Sequence, residues 1–282
     1  MAQENFLVEE YLTHLDATAG KAAATFSANE TGASRAFSNA LAHLAWALTA
    51  KPIPKDRRHI AVAAYASRVM QHAYGAYRLV QSGNTISAEV VVRAAFEAAF
   101  SAGALANDEN FADGQDFYLR LLFKSTLGRL KPLQDFLASA GSLSGKDRAA
   151  GERKVAELQA VLDDLKAHQL SKTAAVAKAA KMEDYYGREY ASQSRVFHSD
   201  LEVVLQDHVL MTEREVRVAG VQLVPAGAEL LIAHLIAVLM ETATALTALL
   251  QIDLTDDEKA RLSEIAAFYG NTLTAATTKT GD

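Results

Sequence analysis

The chain reads as an all-α multi-helix bundle, and three observations say so. Half of its 282 residues are hydrophobic, with alanine, the strongest helix former, supplying much of that share. There are only four prolines to interrupt helices. Apolar residues recur at three- and four-residue spacing along most of the chain, the period that lines one side of a helix.

A first helix is expected from Glu4 to about Phe26, where Phe6, Leu7, Tyr11, Leu12 and Leu15 share a side, with a loop from Ser27 to Gly32. A second, Ser34 to Leu48, aligns Phe37, Leu41, Leu44 and Leu48. Pro52-Ile53-Pro54 stops it, because proline lacks the backbone N–H and clashes with the preceding turn. Asp56 is placed to cap a third helix reaching about Val80 and carrying Ile60, Tyr65, Val69, Met70, Tyr74 and Tyr77. Ser82-Gly83-Asn84 ends that helix, glycine and asparagine being suited to a left-handed C-terminal cap. Ser87 is read as the cap of a fourth, which runs to about Ala106. Val90, Val91, Ala94, Phe96 and Phe100 make it apolar on nearly every side, which marks a central helix.

Asn107 to Asn110 is a turn, and a long helical pattern follows from Phe111 to about Ala138, bent near Pro132. Gly141 to Gly151, rich in glycine and serine, reads as a flexible loop. Helix formers resume from Glu152 to His168, then from Thr173 to Met182, then from Asp184 to roughly His208, where Gly187 divides the last pattern into two candidate pieces. Between Glu213 and Val224, valines and leucines alternate with polar or small residues, the pattern of a short β-hairpin. Pro225 opens an apolar helix, Ala226 to Ile252, and Thr255-Asp256-Asp257-Glu258 is a strong capping start for the last one. No repeat of fixed period appears, so the expectation is one helical domain over residues 1–282, with helices 1–50 as a lobe.

Charge and composition narrow the function classes. A net charge of −6 with no clustered basic face argues against nonspecific nucleic-acid binding. Cysteine is absent, which excludes disulfides, thiolate metal sites and a cysteine nucleophile, and fits a reducing compartment. The N-terminus begins with acidic rather than basic residues and lacks an apolar run, so a cytoplasmic location is the default. Ala226 to Ile252 is long enough to span a bilayer. However, Glu229, His234 and Glu241 lie within it and are costly in lipid, so a buried core helix is expected and no membrane partner.

Familiar catalytic motifs fail on spacing. Gly141-Ser-Leu-Ser-Gly145-Lys146 is one residue short of a phosphate-binding loop and places Asp147 where the magnesium-binding hydroxyl belongs. No glutamate is followed three residues later by histidine, as helical di-metal sites require. His198 and Glu202 are four apart but are only a pair of ligands, so neither metal nor other cofactor is expected.

Two helices nevertheless carry polar residues where a core should be. Glu89, Arg93 and Glu97 repeat every four residues along an otherwise apolar helix, and Tyr186, Tyr190, Ser194 and His198 do the same along a later one. A buried histidine or tyrosine needs a partner, and an isolated buried glutamate is neutralised rather than left charged. The economical arrangement sets Glu97 against His198 or Tyr190.

Arg93-Ala-Ala-Phe-Glu97, followed about a hundred residues later by Tyr190-x-x-x-Ser194-x-x-x-His198, resembles an uncharacterised bacterial all-helical family of unknown function over roughly residues 60 to 210. That resemblance implies a helical fold and carries no activity, substrate or cofactor. More distantly the chain is similar to the helical superfamily known as HEPN, whose nucleases use arginine, four to six variable residues, then histidine. Here Arg195 precedes His198 by too few residues and Arg188 by too many.

Three readings follow. As a binding or interaction module, the bundle takes a small polar ligand or a protein partner, with Ser194 and Tyr186 as binding residues. As a metal-independent hydrolase or ribonuclease-like enzyme, it uses His198 as general acid or base, Glu97 to set its pKa, Arg93 to stabilise an anionic oxygen and Tyr190 to orient substrate. As a structural element, the same side chains form a satisfied network that holds helix register. A homo-oligomer is compatible with all three.

Overall fold

Local sequence signals start and stop most of the helices seen in the computed structural model, which describes residues 31–107, 116–141, 143–168, 173–190, 209–211, 216–218 and 228–279. The expected helix from Glu4 to Phe26 lies outside the described residues. Helix α1 spans Thr31–Thr49 and ends before the two prolines. Helix α2, Arg57–Gln81, starts where the Asp56 carboxylate accepts the His59 N–H at 3.0 Å. Gly83, at φ 80°, takes the left-handed conformation just after it.

Helix α3, Thr85–Ala106, starts earlier than expected. Asn84, not Ser87, is its cap: the Asn84 side-chain oxygen accepts the Ser87 N–H at 3.1 Å, so Ser87 supplies the orphan donor rather than the acceptor. From Ala98 to Leu105 every residue of α3 is buried, as a helix apolar on all sides should be. It lies against α2 and against α8, Ala228–Leu250, which itself is buried without a break from Leu231 to Leu239. Helix α8 is long and apolar enough to cross a membrane, but 67% of its most apolar window is buried, and α1, α2, α3 and α9 (Asp256–Lys279) all pack on it. Phe37 and Leu44 of α1, Phe96 and Phe100 of α3, and Ile232 and Leu239 of α8 share one core.

Helices α4, Asp116–Ser139, and α5, Gly145–Asp164, form a hairpin with a small core of its own around Leu130, Leu158 and Leu162. Pro132 sits inside α4. The loop expected over 141–151 is therefore shorter. Ser144 caps α5 by accepting the Asp147 N–H at 3.2 Å, and Gly145 to Gly151 are helical. Gly151 lies inside the helix beside the end of the Leu137 side chain, which a Cβ there would approach to 2.7 Å.

Helix α6, Thr173–Ala179, reaches α3 at a second such approach: a Cβ on Gly103 would stand 3.0 Å from that of Ala180. The short α7, Glu183–Tyr185, runs into a π-helical turn, Tyr186–Tyr190, so the helical pattern expected from Asp184 widens at Gly187, its expected dividing point, and its part beyond Tyr190 lies outside the described residues. The expected hairpin is present but begins earlier. β1, Val209–Met211, pairs antiparallel with β2, Val216–Val218, so its first strand precedes Glu213. Met211 pairs with Val216, a register that sets the first strand on the apolar Val-Leu-Met run.

Candidate functional site

Spacing on α3 sets Arg93 and Glu97 one turn apart, and the π-turn presents Tyr190 to both. The Tyr190 hydroxyl donates to Glu97 Oε1 at 2.8 Å and accepts from Arg93 Nη2 at 3.1 Å, while the guanidinium and carboxylate are 3.4 Å apart. The Arg93 guanidinium also lies over the Tyr190 ring, 5.1 Å from its centroid. Tyr190 is held by its neighbours: Tyr186 stacks on it at 5.3 Å and Phe100 meets it edge-on at 5.7 Å. Stacking of Tyr186 on Tyr190 keeps the two tyrosines on one side of the π-turn even though the helix is not regular.

Exposure divides the three. The Arg93 side chain is 12% exposed and Tyr190 6%, but the Glu97 side chain is 42% exposed. Burial pushes the Tyr190 phenol up, with the Arg93 guanidinium working against that and the Glu97 carboxylate adding to it. Tyr190 therefore stays protonated and able to donate.

The exposed side of Glu97 forms part of the wall of a groove of about 390 Å³ between α2, α3, α4 and α6. Arg93 and Tyr190 stand behind that wall. Helix α2 contributes Tyr65, Arg68 and His72, whose spacing puts them on one face. Helices α4 and α6 add Lys124, Ser125 and Thr173. Ala98, Phe100, Leu121 and Val176 make its floor apolar.

Within the groove the hydrogen bonds fix protonation. Arg68 Nε–H donates to His72 Nε2 at 2.9 Å, so that nitrogen is an acceptor and the ring proton sits on Nδ1. Burial, then the nearby Arg68 charge, push His72 below the usual imidazole range and hold it neutral. Burial likewise pushes the Tyr65 phenol up, opposed by its hydrogen bond with Ser101. The Ser101 hydroxyl in turn donates to the Glu97 backbone carbonyl at 2.9 Å.

Arg93, Glu97, Tyr190 and Tyr186 thus come together, whereas Ser194 and His198 lie outside the described residues. Glu89 is half-buried, one turn before Arg93. Tyr65 is legible in the sequence only as one of the apolar residues of α2, and Arg68, Lys124 and Thr173 were missed as groove residues because they carry no local signal. Among the described residues no group of three or more His, Asp or Glu has metal-ligand proximity.

A second polar contact lies elsewhere, between α1 and α9. His43 Nδ1 and Glu258 Oε2 are 2.5 Å apart, both buried, and Arg261 donates to the other Glu258 oxygen. Trp46 stacks on the His43 ring at 5.4 Å. His234 is buried in α8, edge-on to Phe96.

The fold and this geometry define a helical-bundle protein with a polar-walled groove between its helices. Residues 59–215, more than half of the chain, match the family of unknown function DUF5677, and the chain belongs to that family. The matched span includes all the groove residues and the Arg93, Glu97 and Tyr190 contact. No curated protein and no solved structure matches the chain.

Proposed function

We propose that the chain is a binding module that takes a small polar ligand into the groove beside Glu97. The observation that carries this reading is the position of the Glu97 carboxylate. Oε1 is held by the Tyr190 hydroxyl and backed by Arg93, while Oε2 receives no hydrogen bond among the described residues and the side chain opens onto the groove. A carboxylate fixed from behind and free in front is preorganised for a ligand, because the ordering cost of that side chain is met in the fold. The groove volume also falls in the range of about 300–1,000 Å³ usual for ligand sites, with an apolar floor and a few convergent polar groups.

The test is mass spectrometry of small molecules released when the purified full-length chain is denatured, alongside a Glu97→Ala variant. A compound recovered in near-stoichiometric amount from the parent and lost from the variant is the expected result. Equal recovery from both, or none from either together with no change in amide NMR shifts at Tyr65, Ser101 or Thr173 on adding metabolite mixtures, would refute the reading.

A further inference from the structure

Resting on that reading, we infer that the ligand is a small zwitterion of the amino-acid type: its carboxylate meets Arg68 and Lys124, its ammonium meets Glu97, and its apolar side chain covers the Ala98 and Val176 floor. The charges on the groove walls argue for this class. In a chain of net charge −6, this groove gathers two cations, Arg68 on α2 and Lys124 on α4. Neither meets a carboxylate among the described residues; the hydrogen-bond partner of Arg68 is the neutral His72. An anionic group on a ligand would give both a counter-charge, and the planar guanidinium suits a carboxylate in particular.

Glu97 excludes the simplest alternative. A bare anion drawn to Arg68 and Lys124 would share the groove with a carboxylate, and like charges at an interface are selected against. A ligand that also carries an ammonium turns that repulsion into a charge-assisted hydrogen bond to Oε2. Size and polarity agree, because about 390 Å³ over a floor of alanine, valine, leucine and phenylalanine side chains suits a single amino acid with an apolar side chain better than an extended peptide.

Calorimetric titration of the full-length chain tests the class. The probes are L-leucine and L-phenylalanine, their des-amino acids 4-methylpentanoate and 3-phenylpropionate, their decarboxylated amines, and inorganic phosphate, with amide NMR shifts reporting the place of binding. The amino acids are expected to bind at the groove, with each truncated analogue at least about tenfold weaker. Arg68→Ala and Lys124→Ala, both at exposed positions, should each weaken amino-acid binding, and Glu97→Gln should erase the preference for the amino acid over its des-amino form. Binding of the des-amino acids or of phosphate as tight as the amino acids would overturn the zwitterion while leaving the groove a binding site. Failure of every probe to bind also overturns the class, and then the released-compound experiment alone decides whether the groove binds anything.

Discussion

Tyr190 donates its hydroxyl to Glu97 at 2.8 Å across 93 residues of sequence, and in the same position accepts from Arg93. One phenol thereby serves a carboxylate and a guanidinium that differ widely in exposure. Tyr190→Phe keeps the ring packing on Tyr186 and Phe100 but leaves the nearly buried guanidinium without this partner. A stability loss of about 1–3 kcal/mol is expected, measured by urea unfolding with far-UV circular dichroism unchanged in the folded baseline. No measurable loss would mean that the contact does not constrain the fold.

The His43 and Glu258 pair behaves differently, since both side chains are buried between α1 and α9. Removing Glu258 leaves the buried His43 ring short of a partner in a site closed to water, whereas the Arg261 side chain, 30% exposed, can turn to solvent. Glu258→Ala should therefore cost about 3 kcal/mol. Lys154→Ala, which breaks an exposed pair with Glu157 at 2.6 Å, should leave the unfolding midpoint unchanged. Equal effects of the two changes would contradict the distinction drawn from burial.

Two helical glycines should respond with opposite signs. Nothing lies within 4 Å of a Cβ on Gly128 in α4, so Gly128→Ala should stabilise by about 0.5–1 kcal/mol through helix propensity and a less flexible unfolded chain. Gly103 faces Ala180 at 3.0 Å, with backbone atoms of the same residue at 3.4 Å. Gly103→Val should cost about 1–3 kcal/mol by overpacking and should also disturb α6, which lines the groove. Parallel thermal melts of the two variants read the result directly.

His72 gives a pH dependence with a definite sign. Its folded-state pKa lies below the ordinary value of 6.5, so between that value and the folded one the unfolded chain binds a proton that the native chain refuses. Its contribution to stability is complete above about pH 6.5 and declines as the solution becomes more acidic, levelling once the folded pKa is passed. His72→Gln should flatten the dependence of the unfolding free energy on pH in that window. A slope unchanged by the substitution would show that the ring is not held neutral by burial and Arg68.

Much of the fold was legible residue by residue. Asp56, Gly83 and Thr255 mark helix ends because caps are local chemistry, decided within four residues of the boundary. The errors were local too. Asn84 and Ser87 are both good caps, and in the structure the Asn84 side chain takes the role by accepting the Ser87 N–H. Gly145 and Gly151 look like loop residues, yet Ser144 caps a helix that starts at Gly145, and Leu137 packs beside Gly151.

By itself the sequence determined the all-helical class, the central apolar helix α3, the buried α8 and the stripe of Arg93 and Glu97, since periodicity and capping are written along the chain. Only the tertiary structure decided that Tyr190 closes on that stripe through a π-turn, that His43 meets Glu258, and that Arg68, Glu97, Lys124 and Thr173 share one groove. Those residues are joined by the packing of separate helices, and packing depends on shapes such as the Gly103 approach to Ala180 that no local pattern encodes.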